Sequence, residues 1–226
     1  MKLPFILLFL SSFFLPFFYA QDWPNLSKYK TQNDSLVAPT ADENRVVFMG
    51  NSITEGWLGL YPSFFKNKFY VNRGISGQTT PQMLVRFRAD VIHLHPKVVV
   101  ILAGTNDIAG NTGPSTLEMI ADNIFSMAEL AKVNGIKVVL CSVLPVYDYP
   151  WKPGLDPVTK IAKLNTMIKE YAAYNCFEYL DYYTAMVDER LGLKADLTYD
   201  GVHPNTSGYM VMEPITETAI INALSK

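Results

Sequence analysis

The chain is poor in the residues that hold metals. Histidine occurs three times in 226 residues, at His93, His95 and His203, and cysteine twice, at Cys141 and Cys176. His93 and His95 stand two apart at an expected helix end, so they point to different faces and make no ligand pair. No metal and no cofactor is expected. Cationic surplus is also lacking, since 19 Lys and Arg meet 21 Asp and Glu, a net charge of −2. Neutralising a phosphate backbone needs the opposite balance, which excludes nucleic acid as a partner. The nucleotide signatures G-x-G-x-x-G and the P-loop are absent, and so is the G-x-S-x-G nucleophile elbow. Beyond residue 20 no apolar run is long enough to cross a bilayer. Glycine and proline, at 13 and 14 residues, are too few for a collagen-like or disordered chain.

What is present starts with an apolar leader. Lys2 is followed by an apolar run from Leu3 to Tyr19, broken only by Pro4, Ser11, Ser12 and Pro16, and Ala20 precedes polar Gln21. A basic start, an apolar middle and a small residue at the cut make residues 1–20 a secretory signal peptide. Its apolar core is short for a membrane anchor, so no integral span is expected after its removal, and Phe18 is a bulky residue for the position three before the cut. Export permits disulfides, but a chain of this length needs no staple, and Cys141 and Cys176 are expected as unpaired buried thiols.

Residues 21–44 are polar and are expected to form an irregular N-terminal extension, with Trp23 and Pro24 as a packing latch. From residue 45 to 226 the pattern alternates as one domain. Strands are expected at 45–49, 69–72, 97–103, 136–144 and 177–180. Helices are expected at 54–66, 81–95, 115–133, 157–173 and 205–224, with Asn134-Gly135 as a strong helix stop. The continuous apolar runs KVVVILA and IKVVLCSVL suit parallel strands buried on both faces. Five strands alternating with helices imply an α/β fold, a doubly wound parallel sheet.

In such a sheet ligands bind beyond the carboxyl ends of the strands, so the loops there matter most. They contain Gly50-Asn51-Ser52, Gly74-Ile75-Ser76-Gly77, Gly104-Thr105-Asn106-Asp107 and, before the last helix, Asp200-Gly201-Val202-His203. Ser52 is a candidate nucleophile, which needs a base to take its proton. His203 is the histidine placed to do so, and Asp200, three residues earlier, can orient its ring. Attack on an ester creates an oxyanion, and the backbone N–H groups of Ser52 and Gly77 and the amide of Asn106 are candidate donors. Each piece alone also serves as a cap or a turn. Their force lies in all four occurring in order, each after the expected element.

These four blocks resemble those of the SGNH hydrolases, also called the GDSL esterase/lipase family, and of its acetylhydrolase-like members. The resemblance runs over roughly residues 45–210. It implies a three-layer flavodoxin-like sandwich, metal-free acyl-enzyme catalysis, Ser52, Asp200 and His203 as catalytic residues, and Ser52, Gly77 and Asn106 as the oxyanion hole. Asn51 and Ile53 stand where the family usually has Asp and Leu, so Asn51 keeps hydrogen bonding but loses a charge. The expected substrate is a small-molecule or carbohydrate acyl ester, most simply an acetyl ester. Tyr147, Tyr149 and Trp151, after the fourth strand, together with Asn51, are candidate substrate contacts. A lysophospholipase or thioesterase of the same family, an acyltransferase using the same site, and a non-catalytic carbohydrate-binding domain are the alternatives.

Overall fold

The computed structural model describes residues 21–226. The signal-peptide expectation for residues 1–20 lies outside the described residues. The extension is not irregular throughout: α1 (Ser27–Ser35) precedes β1 (Val46–Gly50). There follow α2 (Ser52–Leu60), β2 (Tyr70–Gly74), α3 (Thr80–Asp90), β3 (Val98–Leu102) and the short α4 (Thr105–Ile108). The second half contains α5 (Leu117–Val133), β4 (Lys137–Cys141), α6 (Pro157–Tyr174), β5 (Glu178–Leu180), α7 (Tyr182–Met186) and α8 (Thr206–Ser225).

The five strands form one parallel sheet in the order β2-β1-β3-β4-β5. Every residue of β1 and β3 is buried, which is why these strands are apolar without alternation. Successive side chains still part to opposite faces. Val47, Met49, Val99 and Ile101 join Met83, Phe87, Ile120, Ile124, Leu164 and Ile168 beneath α3, α5 and α6. Val46, Phe48, Val98 and Val100 join Trp57, Tyr209, Met212 and Ile220 beneath α2 and α8. The result is the expected α/β sandwich of helix, sheet and helix layers. Chain order reverses between β1 and β3, so the loops leaving these two strands diverge and open a crevice between them.

Several element ends differ from expectation for local reasons. The helix expected at 54–66 stops at Leu60, because Pro62 disfavours helical geometry at Tyr61, whose ψ is 63°. A 3-10 turn, Pro62–Phe64, follows, and Phe64 stacks on Trp57 with ring centroids 4.4 Å apart. The fourth strand leaves the sheet after Cys141 rather than at Leu144. There the side chain of Asn165 substitutes for a neighbouring strand, accepting from the Val143 N–H at 2.7 Å and donating to its carbonyl at 3.0 Å. Both cysteines are free, but only Cys141 is buried. Cys176 is exposed, contrary to expectation, because it falls in the surface turn between α6 and β5, where its backbone is left-handed (φ 59°).

One buried cation ties the layers together. Arg86 of α3 is fully buried. Its guanidinium donates to Gln78 Oε1 at 2.5 Å, to the Gly50 carbonyl at 3.0 Å and to Asp90 Oδ2 at 2.9 Å. Removing one partner of such a pair strands the others without water. Arg86→Met is expected to cost about 3–5 kcal/mol in urea-induced unfolding; a loss below about 1 kcal/mol would place the pair outside the stabilising framework.

Candidate active site

The first residue of α2 is Ser52. Asn51 caps the helix, its side-chain oxygen accepting from the Ile53 N–H at 3.0 Å. The cap leaves the Ser52 N–H without an acceptor among the described residues, at the positive end of the helix. The helix start also lies hard against the end of β2. A Cβ at Gly74 would fall 2.1 Å from the Glu55 nitrogen, so no other residue fits there.

The candidate base arrives from the far end of the chain. His203 Nε2 is 2.9 Å from Ser52 Oγ, and His203 Nδ1 is 2.6 Å from Asp200 Oδ2. The other oxygen of Asp200 accepts from the N–H groups of Val202 and His203 at 2.9 and 2.7 Å. Burial pushes the Asp200 carboxyl up, but these N–H groups and the His203 ring outweigh it and hold the group below the usual carboxylate range. An ionised Asp200 keeps the proton on Nδ1 and turns the Nε2 lone pair towards Ser52. Thr198 braces this turn, its hydroxyl donating to the His203 carbonyl at 2.6 Å and accepting from the Gly201 N–H at 3.0 Å.

Two further loops face Ser52. Gly77 has a φ of 77°, a left-handed conformation that glycine adopts without a Cβ penalty, and its N–H has no acceptor among the described residues. Its carbonyl accepts from the Asn111 amide at 3.1 Å. Asn106 Nδ2 donates one proton to the Gln78 carbonyl at 2.9 Å, which leaves a second donor. Asp107, beside it, accepts from the Thr80 N–H at 2.9 Å and from the Thr80 hydroxyl at 2.6 Å. Burial pushes the Asp107 carboxyl up to about 6, against the pull of these two groups. Ser52, Gly77, Asn106 and His203 line one cleft of about 450 Å³, together with Glu55, Ser76, Asn111, Trp151 and Tyr199. Among the described residues, no group of three or more His, Cys, Asp and Glu side chains is placed to hold a metal ion.

The candidate substrate contacts divide. Trp151 borders the cleft and lies 6.0 Å from the His203 ring. Tyr147 lines a separate recess with Arg190, Gly192 and Gly201, away from Ser52. Asn51 and Tyr149 are buried, because one is spent on the helix cap and the other holds Thr105 with its hydroxyl, at 2.9 Å from the carbonyl. The structure thus brings Trp151 to the cleft and leaves Asn51, Tyr147 and Tyr149 outside its lining. The sequence reading missed Tyr199, which is 65% exposed and stacks on His203 with an interplanar angle of 7°. The clue was an aromatic residue immediately before Asp200. It missed Glu55 and Ser76 as well, which no sequence feature separates from ordinary helix and loop residues.

Known proteins carry the same framework. The GDSL-like Lipase/Acylhydrolase family matches residues 48–211. A solved structure from Bacteroides fragilis and one of a GDSL-like lipase from Bacteroides thetaiotaomicron are each 50% identical to this chain, with TM-scores of 0.89 and 0.87. The alignments cover 91% and 88% of this chain and 100% and 98% of those chains. An acetylxylan esterase from Xylanibacter ruminicola is 28% identical over 82% of this chain and 45% of its own length. The chain spans less than half the length of the first curated relatives it matches. By the family match and the Bacteroides structures, the chain belongs to the GDSL-like lipase/acylhydrolase family.

Proposed function

We propose that the enzyme cleaves short acyl esters, acetyl esters of a carbohydrate above all, through an acyl-enzyme on Ser52. The carrying observation is the unbroken chain from Asp200 through His203 to Ser52, with steps of 2.6 and 2.9 Å, opening on the cleft. His203 Nε2 takes the Ser52 proton as Oγ attacks the acyl carbon, and Asp200 stabilises the resulting imidazolium. The N–H groups of Ser52 and Gly77 and the free amide proton of Asn106 take the charge that forms on the acyl oxygen. The alcohol leaves with the proton from His203. Water then attacks the acyl-enzyme, with His203 again as base.

Three features support a sugar ester. Trp151 and Tyr199 are half-exposed and exposed rings on either border of His203, suited to the apolar faces of a sugar. The acetylxylan esterase from Xylanibacter ruminicola is a relative over most of this chain. The apolar leader at residues 1–20 supports export, which gives access to extracellular polymers. In this reading residues 1–20 are removed, 21–44 extend the domain and 45–226 form its hydrolase core.

Ser52→Ala and His203→Ala are each expected to lower kcat by about 10³-fold or more, with the double variant little worse, because the groups act as a unit. Asn106→Ala should raise the barrier by about 2.5–4 kcal/mol at nearly constant KM. Steady-state kinetics on p-nitrophenyl acetate checks both; near-full activity in Ser52→Ala would remove the mechanism. Along a p-nitrophenyl series kcat/KM should fall steeply from acetate to octanoate, and acetate should be released from acetylated xylan. A preference for octanoate overturns the short-acyl reading, and acetate-ester cleavage without release from any glycan overturns the sugar. N-terminal sequencing of the secreted form should begin at Gln21; an intact leader on the active protein overturns export by cleavage.

A further inference from the structure

The loop that carries Gly77 is held from outside by the N-terminal extension. Tyr29 of α1 is buried, and its hydroxyl donates to the Gly74 carbonyl. The guanidinium of Arg73 lies 4.6 Å from the Tyr29 ring, and its Nε donates to Asn33 Oδ1 at 2.9 Å. The amides of Gln78 and Gln82 donate to the carbonyls of Pro24 and Trp23, each at 2.7 Å. Gly74 and Gln78 bracket Gly77, so both ends of the oxyanion loop are fixed by residues 23–33.

The middle of the loop is fixed through Glu55. One Glu55 oxygen accepts from the Ser76 N–H at 2.7 Å and from the Ser76 hydroxyl. The other is paired with Lys28 of α1. Glu55 stands one helical turn beyond Ser52 and lines the same cleft. One oxygen of its carboxylate holds Ser76. Left uncompensated, its charge would oppose the negative charge that forms on the acyl oxygen. The ion pair is about two-thirds sheltered from solvent on both sides, so water screens it incompletely. Burial pushes the Glu55 carboxyl up, but Lys28 and Ser76 hold it below the usual range, so the group is charged in neutral solution.

We propose that residues 23–33 are a working part of the active site, in which Lys28 is a positioning residue that cancels the Glu55 charge and steadies the Ser76–Gly77 loop. The inference rests on the proposed roles of Ser52 and Gly77. The alternative is a purely structural strap, whose loss lowers stability and leaves the chemical step unchanged.

The test uses the full chain and p-nitrophenyl acetate. Lys28→Met should lower kcat about tenfold with KM within about twofold, since the loss falls on the transition state. Lys28→Arg should restore most of the rate. In a Glu55→Gln background, where the amide still accepts from Ser76, Lys28→Met should cost less than about twofold, the coupling expected of a charge pair. An unchanged kcat in Lys28→Met overturns the proposal, as does a rise confined to KM. An equal loss in the Glu55→Gln background overturns the charge-cancelling role, and thermal unfolding of each variant identifies a loss caused by misfolding. With Ser52→Ala measured alongside, an active Ser52→Ala removes the site reading and this inference together, while an inactive Ser52→Ala with an unaffected Lys28→Met removes this inference alone.

Discussion

The buried guanidinium of Arg86 is the constraint on which the site geometry depends. It is shared between the carbonyl that ends β1, the side chain of Gln78 in the oxyanion loop, and Asp90 on its own helix. The carbonyl belongs to Gly50, two residues before Ser52. One cation therefore sets the distance between the strand that presents Ser52 and the loop that presents the Gly77 N–H. Its planar fork makes this possible, because three acceptors lie in three fixed directions; a lysine ammonium has no such shape. Gln78 extends the chain further, since its backbone carbonyl receives the Asn106 amide. The Gly77 and Asn106 donors of the proposed oxyanion hole are thus referred to the same buried charge.

The proposed catalytic groups are divided among separate elements for a topological reason. A parallel sheet presents all its carboxyl ends on one side, and the reversal of order between β1 and β3 leaves a gap there. Ser52 enters it from β1, Gly77 from the loop after β2, and Asn106 from α4 after β3. His203 comes from a turn that is internally braced by Thr198 and by Asn205, the cap of α8. That turn holds Asp200 against His203 through local contacts alone. The rest of the fold has only to place it beside Ser52.

Sequence patterning made the strands, the long helices and the four loop blocks legible, because burial on both faces and strand-end loops leave strong local marks. KVVVILA became β3 and the stop at Asn134-Gly135 ended α5. What stayed illegible depends on side-chain direction or on distant partners. Tyr149 and Trp151 are two apart, yet one is buried behind Thr105 and the other borders the cleft. The end of β4 depends on Asn165, which lies 22 residues further on. Polar composition hid α1, which is fixed by Tyr29 and Asn33 rather than by an apolar stripe of its own. Arg86 looked like an ordinary helix arginine because nothing nearby in sequence announces Gln78 and Gly50 as its acceptors.

Ser52 and His203 are 151 residues apart in the chain. Contacts between residues so far apart in the chain form slowly compared with local ones. During synthesis Ser52, the Gly77 loop and the strap that holds it can all come together before His203 exists. In the proposed mechanism an incompletely made or partly unfolded chain thus carries an unactivated Ser52, and cleavage waits until the turn that bears His203 has docked. On the proposed mechanism, hydrolytic competence is in this sense the last property the polypeptide acquires.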